Sequence, residues 1–74
     1  MPSIDVKVLA GVFSSEQKRQ IIERLTDTMV EIEGEPLRPY TLVTIQELAS
    51  GDFGLGGEAF ATSDVKALQA SASA

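Results

Sequence analysis

Residues 3–48 read SIDVKVLAGVFSSEQKRQIIERLTDTMVEIEGEPLRPYTLVTIQEL, and this stretch decides the fold. Its first part, residues 3–9, alternates apolar with polar residues, with Pro2 just ahead of it. A period of two predicts a strand with one buried face, and proline is tolerated where a strand begins. Ala10 and Gly11 are predicted to end the strand.

The next part predicts a long amphipathic helix over residues 15–33. Ser14 stands three residues before Gln17, which fits a capping box, and Gly34 and Pro36 are typical of a helix end. The apolar residues at helical spacing are Ile21, Ile22, Leu25, Met29 and Ile32.

Residues 40–48 are rich in β-branched and aromatic types and have apolar residues on both alternating faces. They predict a strand with partners on both sides. Residues 51–57 hold four glycines and predict a turn segment with unusual backbone angles. A short helix from residue 62 or 63 to about Leu68 should follow, and residues 70–74 are predicted to be a flexible tail.

This order of elements predicts an α+β fold in a single domain, residues 1–74. The strand-helix-strand unit should be a β-α-β crossover with parallel strands. Two strands and one helix do not form a stable sheet by themselves. We therefore expect other copies of the chain to complete the sheet, and functional sites to lie between subunits.

Composition excludes several kinds of site. The 74 residues include no cysteine and no histidine, which removes the Ser-His-Asp triad, the Cys-His pair and the zinc finger. A net charge of −5 argues against nucleic acid as a partner. We expect no membrane segment and no signal peptide, and hence a cytoplasmic location. We also expect no metal and no organic cofactor.

The helix charges oppose the helix dipole. Lys18 and Arg19 lie near its predicted start, and Glu31, Glu33 and Glu35 lie near its end. Two interpretations stay open: these are screened surface charges, or the acidic end contacts a basic partner surface.

With the usual catalytic side chains missing, the amino terminus is the candidate. Removal of Met1 before Pro2 would leave a secondary amine at the chain end. A neutral amine acts as a general base, and burial or a nearby cation lowers its pKa toward neutrality. Many proteins begin with Met-Pro, so the dipeptide by itself does not establish this role.

The rest of the chain adds to this pattern. Gly11 ends the first strand, SSEQK (residues 14–18) opens the helix, and IQEL (residues 45–48) leads to GDFGLGGE (residues 51–58). Over about residues 2–60 the chain resembles the 4-oxalocrotonate tautomerase family. The leading proline, the helix-opening segment and the Phe-Gly-Leu-Gly-Gly turn together carry this resemblance.

The resemblance implies a β-α-β subunit that dimerises through its sheets, and commonly a hexamer of three dimers. It implies that Pro2 is the general base that moves a proton within a small carbonyl or enol acid. Phe53 would belong to the apolar wall of the pocket, would fill a subunit interface, or both.

Two arginines of the family's prototype are missing. Val12 and Leu42 stand in their places, which puts the prototype's dicarboxylate substrate in doubt. Arg38 is the nearest replacement for binding a carboxylate, or else a solvated loop residue. Tyr40 either supplies a hydroxyl at the same rim or covers the apolar face of the strand.

The first hypothesis is thus a tautomerase that depends on Pro2 and acts on a small unsaturated or 2-oxo acid, in a homohexamer or a dimer. An alternative is a non-catalytic subunit that pairs with a related, arginine-bearing chain in a hetero-oligomer. A third is a hydratase or dehalogenase that depends on the proline and needs an additional acidic residue.

Overall fold

A parallel pair of strands, β1 (Ser3–Leu9) and β2 (Leu42–Leu48), forms the centre of the protein. The computed structural model describes residues 1–72. Ser3 pairs with Leu42, and the register runs without interruption to Leu9 and Leu48. Helix α1 (Ser15–Glu33) makes the crossover between the two strands, so the predicted α+β fold with parallel strands is confirmed.

Helix α1 has the predicted bounds and the predicted capping box. The Ser14 backbone N–H donates to Gln17 Oε1 at 2.9 Å, and the Gln17 N–H donates to Ser14 Oγ at 3.1 Å. The apolar face was predicted less well. Ile32 is 80 % exposed, whereas Val30 is among the buried core residues.

The second strand begins later than predicted, at Leu42. Glu35–Tyr40 form a 3-10 helix, so Tyr40 is not part of the strand. Pro36 and Pro39 explain the difference, because proline fixes φ and cannot donate a backbone hydrogen bond to a neighbouring strand.

The glycine-rich segment is a hairpin and not only a turn. Strands β3 (Phe53–Leu55) and β4 (Glu58–Phe60) pair antiparallel across Gly56 and Gly57, which both have positive φ as predicted. Helix α2 (Thr62–Ala72) then runs four residues beyond its predicted end. The last part of the predicted tail, residues 73 and 74, lies outside the described residues.

The sheet has one apolar and one polar face. Side chains of the helix-facing positions are half-buried or buried, namely Ile4, Val6, Val8, Val43 and Ile45. The opposite face is exposed along most of its length, where Thr44 Oγ1 donates to Asp5 Oδ1 at 3.0 Å. Leu42 is 49 % exposed on this polar face.

The single chain is more extended than a compact domain of its size. Its Cα radius of gyration is 15.0 Å, whereas about 11 Å is expected for this length. Its accessible surface is 5240 Å², against about 4,400 Å² for a typical monomer of this mass. Among the described residues, only Val8, Leu9 and Val30 form the buried hydrophobic core. In residues 1–72 we find no helix with the length and apolar character needed to cross a membrane.

The end of β1 depends on Gly11. Its φ is +85°, and a Cβ at this position would stand 3.1 Å from Thr62 Cγ2. The Thr62 hydroxyl donates to the Ala10 carbonyl, so the threonine is not free to move away. These contacts join the first strand to the start of α2.

We therefore expect Gly11→Ala to lower the free energy of unfolding by at least about 1 kcal/mol, since alanine is strained at positive φ. Gly57→Ala is the matched control, because Gly57 has the same φ with nothing within 4 Å of its Cβ position. Urea denaturation of both variants at one protein concentration measures the difference. A loss for Gly11→Ala no larger than for Gly57→Ala would contradict the close packing of Thr62.

Candidate active site

Pro2 lies where the parallel sheet begins. Its carbonyl accepts a hydrogen bond from the Leu42 N–H at 3.1 Å, which continues the pairing one step before Ser3. The proline is half-buried, whereas Met1 is 90 % exposed. With Met1 attached, the Pro2 nitrogen is an amide that carries no hydrogen and has no basicity.

Arg38 lies in the 3-10 helix, and its guanidinium already binds two carboxylates. Nε and Nη2 donate to Glu35 at 2.6 and 3.4 Å, and Nη1 donates to Asp27 of α1 at 2.9 Å. The hydrogen bonds to Glu35 and then to Asp27 raise the pKa of Arg38 above its usual range. In the single chain, Arg38 therefore joins the 3-10 helix to α1.

Tyr40 ends the 3-10 helix and is 57 % exposed. It stands two residues before Leu42, whose N–H bonds to Pro2. Pro2, Tyr40 and Leu42 thus share one end of the sheet, with the segment that holds Arg38 leading into it.

Phe53 lies at the other end of the sheet. Its ring packs edge-on against Phe60, with 6.4 Å between centroids. It also lines a largely apolar cavity of about 270 Å³ where β1 and β2 end. The other residues around this cavity include Lys7, Val12, Phe13, Leu48 and Val65.

One chain does not bring Pro2 and Phe53 together. Lys7 of β1 borders the Phe53 cavity and comes five positions after Pro2, which directly precedes this strand. At about 3.3 Å per residue, Pro2 lies roughly 16 Å from Lys7 at the edge of this cavity. A single site that contains both residues therefore requires two copies of the chain. The resemblance places the family's two arginines at the positions of Val12 and Leu42. Val12 lies at the Phe53 end of the sheet, and Leu42 lies at the Pro2 end.

Glu33 is a candidate residue that the sequence analysis missed. Its Oε2 accepts a hydrogen bond from Thr41 Oγ1, and its Oε1 is buried without a partner. Its interpretation as a screened surface charge is therefore wrong. Glu33 comes four residues after Met29 and three after Val30. Residues at these spacings share a helix face, which is the signal that could have shown Glu33 to lie beside the core.

Lys18 and Arg19, whose charges oppose the helix dipole, both have carboxylate partners. Arg19 pairs with Glu16 within α1, and Lys18 Nζ lies 2.8 Å from Glu47 Oε1 of β2. The hydrogen bond from Lys18 lowers the pKa of Glu47, and the Gly11 backbone N–H adds to this. This ion pair joins the start of α1 to the Phe53 end of the sheet.

Comparisons with known proteins agree with this architecture. The family model described as "Tautomerase enzyme" matches residues 2–63. Two proteins named "Probable tautomerase", from Helicobacter pylori strains 26695 and J99, are each 38 % identical over 60 residues. In each case the match spans 78 % of this chain and 87 % of the relative.

A solved structure extends the agreement to the fold. The crystal structure of DmpI from Helicobacter pylori is similar to this chain with a TM-score of 0.68 and 32 % sequence identity. The similarity covers 89 % of this chain and 97 % of that one. The chain belongs to the tautomerase family of the 4-oxalocrotonate tautomerase type, and it is an isomerase.

The Lys18–Glu47 pair makes stability depend on pH. Because the pKa of Glu47 is lower in the folded protein, its contribution is present above the unfolded value of 4.5 and is lost as the pH falls through the folded value. We expect Lys18→Met to lower the urea midpoint at pH 7 and to change it much less at pH 3. Arg19→Met, which removes a more exposed cation, is the control. An equal effect of Lys18→Met at both pH values would contradict this role for the pair.

Proposed function

We propose that the chain, after removal of Met1, uses the Pro2 amine as general base in the keto–enol tautomerisation of a small unsaturated or 2-oxo acid. For an enol acid, the amine takes the proton of the enol hydroxyl as the carbonyl forms. The resulting ammonium returns a proton to the adjacent carbon, so the enzyme ends unchanged. The observation that carries this proposal is the half-buried position of Pro2 at the first residue of the tautomerase match.

The burial of Pro2 supports a neutral amine. Burial disfavours the charged form and lowers the pKa of an amine. A neighbouring copy that placed its Phe53 cavity over Pro2 would increase this burial. Such a site joins the amine of one subunit to the apolar wall of another.

The two missing arginines support a choice between classes of substrate. Val12 lies among apolar residues, and Leu42 offers no positive charge beside Pro2. This site fits an acid with one carboxylate and an apolar remainder better than a dicarboxylate. Arg38 and Tyr40 are the proposed contacts for that carboxylate. Arg38 must exchange a bond to Glu35 or Asp27 to make its contact.

The unpaired edges of the sheet support an assembly of several copies. Within residues 1–72, β1 pairs only with β2, so each strand leaves one edge unpaired. Unpaired edges and an extended shape favour association with further copies. We propose a homo-oligomer, with a hexamer as the resemblance implies and a dimer as the smaller assembly.

The absence of arginine at the positions of Val12 and Leu42 also favours a second candidate, a non-catalytic subunit. In that case a related chain would supply the cations in a hetero-oligomer. The chain purified alone would then assemble but show no turnover that depends on Pro2.

We expect the processed chain to ketonise phenylenolpyruvate, and Pro2→Ala to reduce kcat/KM by about 100-fold or more, the usual contribution of a general base. Intact mass must first show that Met1 is absent. Ser3→Ala is the control, because Ser3 is the next residue, is exposed and lies on the other face of the strand. Ser3→Ala should retain activity.

Loss of Met1 with no turnover that depends on Pro2, on phenylenolpyruvate or other small enol acids, would contradict catalysis by the chain alone. That result would favour the non-catalytic subunit. Activity that survived in Pro2→Ala at the level of Ser3→Ala would exclude Pro2 as the base.

A further inference from the structure

The buried oxygen of Glu33 is the starting point. Among side chains of the described residues, Glu33 Oε1 is the buried polar atom that lacks a hydrogen-bond partner. A buried, unsatisfied polar atom is unfavourable, and for a charged group the cost is larger. Such atoms are rare in folded proteins and call for a missing donor.

The position of Glu33 shows where that donor would come from. Its Oε2 is held by Thr41, the residue just before β2. The register of Ser3 with Leu42, continued one step back, sets Pro2 opposite Thr41. Paired residues of parallel strands lie on one face, and here that is the face covered by α1. Glu33, Thr41 and Pro2 therefore occupy one corner, where α1 ends and the sheet begins.

Processing of the chain would supply the donor. With Met1 attached, the Pro2 nitrogen has no hydrogen to donate. Once Met1 is removed, the same nitrogen becomes a secondary amine, which carries one N–H when neutral and two when protonated. We propose that Glu33 is the receptor for the processed amino terminus, with Oε1 accepting a hydrogen bond from the Pro2 ammonium.

This inference rests on the proposed function, since it takes Pro2 as the working amine. During turnover, Pro2 takes a proton from the substrate and becomes positively charged. A carboxylate beside it stabilises that charge, as opposite charges within about 4–6 Å do. Glu33 is then a positioning residue: it fixes the nitrogen and favours its protonated form without touching the substrate.

In the chain without substrate, the other charged groups near this corner have partners of their own or are exposed to solvent. The 3-10 helix carries Glu35, Arg38 and Tyr40, and the last turns of α1 carry Asp27 and the exposed Glu31. On the strands, Lys7 pairs with Asp5, and Glu47 pairs with Lys18 at the far end of the sheet. Arg38 is bound to Glu35 and Asp27, and Asp5 bonds to Thr44 on the opposite face of the sheet. Tyr40 is exposed.

The test is the pKa of Pro2 in processed protein labelled with ¹⁵N-proline, followed by NMR. Glu33→Gln keeps the shape of the side chain and removes its charge. We expect it to lower the pKa of the Pro2 amine by about 1 unit or more. The apparent pKa of the rising limb of the pH–rate profile should fall by the same amount. Glu31→Gln is the control, because Glu31 lies on the same helix and is exposed. A folded Glu33→Gln protein with an unchanged pKa of Pro2 would overturn the proposal.

A second measurement separates this role from a purely structural one. In the processed chain, Glu33→Gln should lower Tm because it removes the partner of the ammonium. In a chain with residues added before Met1, which blocks processing, the same substitution should leave Tm unchanged or raise it. Equal losses of Tm in both forms would overturn the proposal. The pKa from NMR and the Tm can both be measured without turnover. If both shifts are found but no activity depends on Pro2, the proposed function fails and the role of Glu33 as receptor stands.

Discussion

The parallel pairing of β1 with β2 is the constraint on which the rest of the structure depends. It fixes Pro2 beside Leu42 at one end and Leu9 beside Leu48 at the other. Helix α1 must then return along the sheet, so its capped start lies at the Phe53 end and Glu33 lies at the Pro2 end. A strand of this length keeps Pro2 and Phe53 apart in one chain, and so a site that contains both would need two copies.

The charges of the chain are arranged around these two ends. Lys18, unfavourably placed for the helix dipole, bonds to Glu47 and fixes the Phe53 end. Arg38 fixes the 3-10 helix to α1 before the chain enters β2. Val12 and Leu42 stand where the resemblance implies arginines, so both ends of the sheet lack those two charges. A tautomerase built this way would depend on burial, and on Glu33, to set the protonation of Pro2.

The sequence predicted those elements in which one local pattern prevails. Alternation predicted β1, and the capping box with Gly34 predicted both ends of α1. The sequence analysis was wrong where other residues determine the structure. Pro36 and Pro39 make β2 begin later than predicted, and the pairing of β3 with β4 makes the glycine-rich segment a hairpin. Pro2 and Phe53 were predicted from the leading proline, the helix-opening segment and the glycine-rich turn taken together. Their separation was not predicted, because it depends on the register of β1 with β2. The buried Oε1 of Glu33 was missed because its charge was considered without the helix face that it shares with Val30.

The central claim is that Pro2 of one copy works with Phe53 of another. Pro2→Ala and Phe53→Ala chains can be unfolded together, refolded as a mixture and assayed for ketonisation. If sites are shared, random assembly of equal amounts joins an intact Pro2 to an intact Phe53 in about a quarter of the sites. The mixture should then recover about that share of wild-type activity, well above the mean of the two variants refolded alone. A mixture no more active than that mean would contradict the shared site.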